Sequence, residues 1–290
     1  MLELNPFVSV IVPTFSDWDR LKLCLDAIKA QDYPKNKFEV LVVNNNPEEL
    51  PPYDIEFYNI RLINENKPGS YAARNAAINV AKGDIFAFTD SDCIPDELWL
   101  HEGVKAIISN EQNSIVAGLI NVFPKIKDKP NIFEFYSMQS ELKQSLYVKN
   151  DRFATANVFI KKNVFVTTGK FNSTLKSGGD FEFASRAVEK NFLISYCKSS
   201  AVSHPARSTY DDIKQKAKRK AGGIFDLNKS ILKMLLSIFK SLINSFSEII
   251  ILKISLVNKS KLIIIIFIYF FVKFFEILRL VLWKSKSNRK

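Results

Sequence analysis

The sequence predicts an α/β fold, a mostly parallel sheet sandwiched by helices, carrying a C-terminal apolar helical extension that associates with membrane. Three observations predict it. Over the first ninety residues short apolar runs alternate with amphipathic helical stripes, the pattern of parallel strands joined by crossover helices. Polar clusters stand at the carboxyl ends of those runs, where open α/β sheets bind ligands. Beyond residue 229 the texture changes to long apolar stretches spiked with lysine. The expected division is therefore an α/β domain over 1–228 and a membrane anchor over 229–290.

The first strand is read over 8–12 (VSVIV) and stopped by Pro13. Leu21, Leu25 and Ile28 recur at i, i+4 and i+7, the stripe of a helix packed on a sheet. Residues 39–43 (EVLVV) make a second strand, ended by Asn44, Asn45 and Asn46. After a loop with Pro47, Pro51 and Pro52, residues 60–63 make a third strand. Residues 71–81 form a helix whose small face (Ala73, Ala76, Ala77, Val80) allows close approach to the sheet, with Gly83 as its C-cap. Residues 85–88 (IFAF) read as a strand buried on both faces, and Asp90-Ser91-Asp92 lies just past its end.

Near the C-terminal end, Lys233, Ser237, Lys240, Ser241, Asn244, Ser247 and Glu248 share one helical face opposite Ile, Leu, Met and Phe, which suits a membrane interface. The second segment, 262–283, opens with eleven uncharged residues and then carries Lys273, Glu276 and Arg279. At about 1.5 Å per residue it is long enough to cross a hydrocarbon core, yet its charges fit an interfacial position as well. Lys284, Lys286, Arg289 and Lys290 form a basic tail suited to the cytoplasmic side or to anionic lipid.

Charge follows the same division. The net +11 separates into −2 over residues 1–205 and +13 over residues 206–290. The run Lys214, Lys216, Lys218, Arg219, Lys220 reads as a solvated helix face or one that meets phosphates or lipid headgroups. No nucleic-acid partner is expected, because these residues alternate with membrane-type apolar sequence and not with a base-stacking platform. At 290 residues with 47% hydrophobic content, the chain is too long for a disulfide scaffold and too polar for a polytopic membrane protein. Cys24, Cys93 and Cys197 are odd in number and far apart, so a reducing cytosolic setting is expected. MLELNPFVSV lacks a basic region followed by an apolar core, so no secretory signal is read there. Neither GxGxxG nor GxxxxGK[ST] follows the first strand, which excludes the common dinucleotide and P-loop sites.

Read on their own, Asp90 and Asp92 offer two carboxylates to a hard divalent cation, with a capping Asp and a turn Asp as the alternative. Gly178-Gly179-Asp180-Phe181-Glu182 places a carboxylate at a helix start, and the plain alternative is an N-cap by Asp180 with a Glu182–Arg186 surface pair. His204, before Pro205, is one of two histidines, and sequence spacing gives it no partner.

The order of motifs VSVIVPTF, EVLVVNNN, GSYAARNAAINVAKGD, IFAFTDSD, ATANVFIKKNVFVTTGKF, SGGDFEFASRA and AVSHP resembles family 2 glycosyltransferases of the Rossmann-like GT-A fold, over about residues 7–207. The resemblance implies inverting transfer of a sugar from a nucleotide-sugar donor to the hydroxyl of a glycan or lipid-linked acceptor. It implies that Pro13, Thr14, Phe15, Asn44 and Asp90 bind the nucleotide. Asp92, with Asp90 and His204, would hold Mn or Mg; Asp180 would be the catalytic base; and Thr155, Asn157 and Glu182 would lie on the acceptor side. Two positions depart from the family pattern: Asn44 stands where an Asp usually ends the second strand, and Gly179 where an acidic residue often precedes the base. The Asn44 exchange leaves the identity of the base open and favours the runner-up, a catalytically degenerate binding module docked at the membrane. Nucleotidyl transfer on a related fold would need a glycine- and lysine-rich loop after the first strand, which PTFSDWDRL does not supply.

Overall fold

Residues Val8–Thr14 form β1, every one of them buried, and the reason is visible in how its side chains divide. Val8, Val10 and Val12 enter one hydrophobic core and Ile11 the other, because successive strand residues point to opposite faces. The structure is a computed structural model that describes residues 5–55, 60–110, 112–227 and 230–283. The expected 228/229 boundary and the basic tail of Lys284, Lys286, Arg289 and Lys290 lie outside the described residues.

The same division recurs in β2 (Phe38–Asn44) and β4 (Ile85–Thr89): Val40, Val42, Ile85 and Ala87 face one core, and Leu41, Val43, Phe86 and Phe88 the other. Each core is closed by helices. Leu21, Cys24, Leu25 and Ile28 of α1 (Trp18–Lys29) and Trp99, Leu100, Val104 and Ile107 of α3 (Trp99–Ile108) cover the first. Tyr71, Ala73, Ala77 and Ile78 of α2 (Ser70–Val80), with Val164 and Phe165 of α6 (Lys162–Thr168) and Phe183, Ala184 and Ala187 of α7 (Gly179–Glu189), cover the second. Each large apolar side chain so buried contributes about 1.5–3 kcal/mol, so the two helical layers are the main source of stability.

With β3 (Arg61–Asn64), β5 (Ile94–Pro95), β6 (Asn113–Phe123), β7 (Asn157–Lys161) and β8 (Leu193–Pro205), the sheet has eight strands in the order β3-β2-β1-β4-β7-β6-β8-β5. It is mixed where a mostly parallel one was expected: parallel through β3-β2-β1-β4, antiparallel for β4–β7, β6–β7 and β5–β8. Crossover helices read in the first ninety residues fixed only the parallel half. The β1–β2 register pairs Thr14 with Asn44, and that of β1 with β4 pairs Ile11 with Phe88, so three polar clusters emerge at one end.

Two local expectations are corrected. Pro13 does not stop β1; the strand runs on to Thr14. Pairing with β4 ends at Ile11, so Pro13 lies where β1 has a neighbour on one side only and its missing N–H breaks no ladder there. Gly83 is not the cap of α2, which ends at Val80 with Ala81 as C-cap. Instead Gly83 N–H donates to Ser9 Oγ at 2.8 Å, and a Cβ there would stand 2.5 Å from Ser9 N. Only glycine permits that approach.

The chain divides into two compact units: Met1–Asn121, Leu142–Ser173 and Gly179–His204 form one, and Val122–Glu141, Thr174–Gly178 and Pro205–Lys290 the other. The second contains α4 (Ile132–Ser140), α8 (Tyr210–Leu227), α9 (Ile231–Ile251) and α10 (Leu256–Leu282). The sequence reading placed α8 with the first domain. Its buried Ile213 and Ala217 instead share a core with Leu262, Ile265, Ile266 and Tyr269 of α10. Glu141 is enclosed in this unit, 3.3 Å from Arg207 Nε and 2.5 Å from Lys216 Nζ. Among the described residues one helix, Ile231–Ile251, is long and apolar enough to cross a membrane.

Candidate functional site

The parallel half of the sheet ends in three polar turns, and each is shaped by its own backbone. After β1, Phe15 is exposed and Ser16 takes the left-handed conformation (φ 54°), held by Asn46 Nδ2, which donates to Ser16 Oγ at 2.9 Å. Thr14 Oγ1 is buried with no hydrogen-bond partner among the described residues, an acceptor and donor left for a ligand atom or a water. After β2, Asn44 is fully buried. Its Nδ2 donates to Glu49 O at 2.9 Å and its Oδ1 accepts from Asn46 N at 2.9 Å, so its amide closes the following loop. Asn44 thus holds the loop that carries Asn46 and Glu49.

After β4, Asp90 and Asp92 diverge. Asp90 Oδ1 accepts a short hydrogen bond from Arg74 Nη2 of α2. Asp92 Oδ2 lies 3.4 Å from Arg20 Nη1 of α1 and 3.6 Å from Nε2 of His204, a buried residue of β8. The turn rests on thiols: Cys24 Sγ donates to Asp90 O at 3.7 Å, and burial pushes the Cys24 and Cys93 thiols up, which keeps them protonated and inert.

Asp180 sits in the first turn of α7, where the helix dipole favours a carboxylate. Its Oδ1 accepts from Phe181 N at 3.0 Å and from Tyr71 Oη at 3.2 Å. Burial raises the Asp180 carboxyl above the ordinary aspartate range, opposed by those bonds and by Arg74. The bonds both fall on Oδ1, which leaves Oδ2 for a proton from outside. Gly179 explains itself here: a Cβ at that position would stand 2.7 Å from the Tyr71 ring. The acidic residue common in the family at this point would collide with the tyrosine that holds the carboxylate.

Tyr71 and Arg74 were not singled out by sequence reasoning. They lie one turn apart on the buried face of α2, Arg74 stacked 5.8 Å from the Tyr71 ring centroid, and together they tie Asp180 to Asp90. The available signal was an arginine and a tyrosine at i, i+3 on a helix whose other buried residues are small or aliphatic. Arg74 Nε has no hydrogen-bond partner among the described residues, a second orphaned donor at this end of the sheet.

Two residues expected on the acceptor side are corrected. Asn157 is fully buried: its Oδ1 accepts from Trp99 Nε1 at 2.8 Å, and its Nδ2 donates to Leu119 O at 2.8 Å and Ser200 O at 3.0 Å. Both polar atoms of its side chain are used in joining α3, β6 and β8 to β7. Glu182 is engaged by Arg186 through both oxygens, at 2.6 and 3.0 Å, and Arg186 also donates to Thr168 O and Lys170 O. It locks α7 to the chain after α6. Thr155, just before β7, is buried.

Against known proteins, the profile of glycosyl transferase family 2 matches residues 9–173. The chain belongs to this family. It is 32% identical over 213 residues to the glycosyltransferase AglE of Haloferax volcanii, covering 71% of this chain and 69% of that protein. A Methanococcus voltae protein, named as a dolichyl N-acetyl-α-D-glucosaminyl phosphate 3-β-D-2,3-diacetamido-2,3-dideoxy-β-D-glucuronosyltransferase, is 24% identical over 203 residues, covering 65% of this chain and 63% of its own. Among solved structures, the mannosyltransferase PcManGT of Pyrobaculum calidifontis, in complex with GDP-Man and Mn2+, superposes with a TM-score of 0.64 at 16% identity, covering 94% of this chain and 87% of that one. Staphylococcus aureus TarS 1–349 does so with a TM-score of 0.55 at 22% identity, covering 88% and 77%. These likenesses show the GT-A fold, and the family shows a glycosyltransferase.

Proposed function

We propose that this family 2 glycosyltransferase moves a sugar, with inversion, from a nucleoside-diphosphate sugar to the hydroxyl of a glycan or lipid-linked acceptor at the inner face of the cell membrane. The observation that carries the reading is the link from Asp180 through Tyr71 and Arg74 to Asp90, which joins a candidate base to a candidate donor site. In this reading Pro13, Thr14 and Phe15 line the nucleoside pocket with the 44–49 loop, Asn44 holding that loop in shape.

The residues present fit a divalent cation shared with the donor. Asp90, Asp92 and His204 supply carboxylates and an imidazole, and the unpartnered N–H of Arg74 Nε suits an anionic phosphate of the donor and not the cation. Among the described residues no cluster of three or more such side chains forms a closed cage. That suits Mg²⁺ or Mn²⁺, which bind through one or two carboxylates and complete their shell with water and substrate phosphates. Bound there, the cation would neutralise charge on the departing diphosphate. PcManGT was solved with GDP-Man and Mn2+, which supports this choice.

An acceptor hydroxyl is a weak nucleophile, so a positioned carboxylate must take its proton as the anomeric carbon is attacked opposite the leaving group. Asp180 Oδ2 takes it; Tyr71 and Phe181 N hold Oδ1 and fix the rotamer. Burial raises its affinity for a proton above that of an exposed aspartate, which makes Asp180 the stronger base.

A membrane setting is supported by the apolar faces that α9 and α10 leave exposed, Leu232, Leu236 and Ile243 on one and Ile264, Phe271 and Phe275 on the other. The Methanococcus voltae relative's name, which specifies a dolichyl-linked sugar, supports a lipid-linked acceptor. Calorimetric titration of the full chain in neutral detergent with UDP, GDP, CDP and dTDP, each with and without Mn²⁺, tests the reading. One nucleotide is expected to bind only with metal; a folded protein that binds none would leave the membrane-docked binding module.

A further inference from the structure

Along α10 the C-terminal unit carries a cleft of about 970 Å³, at the upper end of the roughly 300–1,000 Å³ typical of ligand sites. One wall is the exposed row Phe267, Phe271 and Phe275, whose rings stack at 6.4 Å from one turn to the next. The lining continues to Trp283, so the cleft is a trench about 28 Å long and not a bowl. The opposite wall belongs to α8 and presents Lys214 and Lys218, one helical turn apart, with Lys214 Nζ 5.8 Å from the Tyr210 ring centroid. The single acid in the lining, Glu276, is neutralised by Arg279, which donates to both its oxygens at 3.0 and 2.7 Å. Among the described residues of the lining, two positive charges are therefore left over beside a long apolar wall.

A bilayer surface alone asks for an apolar face, not for a recess with charge on one side of it. A free phosphate would find two lysines and no use for the phenylalanines. We propose that the trench holds the lipid of a lipid-linked acceptor, its phosphate between Lys214 and Lys218 and its hydrocarbon chain along Phe267, Phe271 and Phe275. The proposal rests on the reading of this protein as a transferase with a lipid-linked acceptor, and it names the part of that acceptor the C-terminal unit grips. A phosphate head makes charge-assisted hydrogen bonds to ammonium groups, strengthened by the apolar surroundings, while the chain gains by leaving water.

Trp283 is exposed at the end of the trench, whereas Trp18 and Trp99 are buried, so its fluorescence reports on the site. The full chain in uncharged detergent is titrated with a brominated long-chain alkyl monophosphate, the corresponding brominated alcohol, and inorganic phosphate, with phosphatidylglycerol as competitor. The monophosphate is expected to quench Trp283 at a concentration at least about tenfold below the alcohol. The Lys214→Glu/Lys218→Glu variant should erase that difference, Trp283→Phe should abolish the signal, and inorganic phosphate should neither quench nor compete. Equal quenching by alcohol and monophosphate, or no effect of the lysine variant, overturns the proposal. Displacement by phosphatidylglycerol at equal concentration also overturns it, since the trench would then take any anionic lipid. Nucleotide and Mn²⁺ binding measured on the same variant separates the two readings: a transferase with intact donor binding and no lipid preference refutes the trench alone, and lipid preference without nucleotide binding refutes the transferase alone.

Discussion

Both units of this protein bury charge, and they do it to opposite ends. In the first, Arg74 is almost fully buried, yet the carboxylate it holds, Asp90, keeps a third of its surface open. In the second, Glu141 is shut between Arg207 and Lys216 and exposes 3% of its side chain. A buried cation gripping a carboxylate that still meets solvent is arranged for a ligand. A carboxylate enclosed by cations on every side holds helices together. The surfaces invert as well: the sheet unit holds Phe86, Phe88, Phe153, Phe159 and Phe183 in its two cores, while α9 and α10 turn Leu236, Phe271 and Phe275 outward. The lesson is that the site must be sought where charge is half enclosed, since enclosure alone does not mark it.

That contrast can be broken by substitutions that should act on activity in one unit and on stability in the other. The largest effect is expected from Asp180→Asn, which keeps the shape of the side chain and removes the carboxylate proposed as the base. Turnover should fall by about 10²- to 10⁴-fold in a donor-consumption assay, with nucleotide affinity and thermal midpoint nearly unchanged. Retained turnover would move the base elsewhere.

Glu141→Gln should do the reverse. Burial alone would raise this carboxyl, but Lys216 and Arg207 hold it down at about 2 from an ordinary 4.5. Because the folded value is the lower one, the pair contributes stability above about pH 4.5 and loses it as pH falls toward 2. Removing one partner of a buried pair costs about 3–5 kcal/mol, so the variant should unfold at lower denaturant near neutral pH, and the dependence of its stability on pH between 4.5 and 2 should flatten. Unchanged stability would make the enclosed pair a bystander.

Tyr71→Phe is the smallest and sharpest test. Its hydroxyl stabilises the ionised form of Asp180, so its loss should move the acid limb of the pH–rate profile upward and lower turnover by about tenfold. A lower rate with an unmoved limb would reduce Tyr71 to packing.

The sheet was legible where the sequence carries a periodic signal. Runs such as VLVV (40–43) and IFAF (85–88) are apolar at every position because both faces are covered, and the residues at their ends follow from that. The antiparallel half was not legible, since β6, β7 and β8 are joined by long connections and nothing in their composition tells direction. At the site, Asp90, Asp92, His204 and Asp180 stand among the groups read from sequence, with the Asp92–His204 approach visible only in space. Asn157 was placed on the acceptor side by resemblance alone; its amide is engaged by Trp99 and by two carbonyls from strands far off in sequence. Tyr71 and Arg74 were missed because their partners lie in α7 and just past β4, 109 and 16 residues away respectively.

The contact between Gly179 and the Tyr71 ring also sets an order of events for anyone who would remake this site. Adding an acidic side chain at 179 while Tyr71 remains should displace the ring and take Asp180's support with it; first reducing 71 to a smaller residue opens the room. The two positions are therefore epistatic: an acidic residue at 179 should be tolerated only once 71 is smaller, and the paired change still lacks the Tyr71 hydroxyl on Asp180.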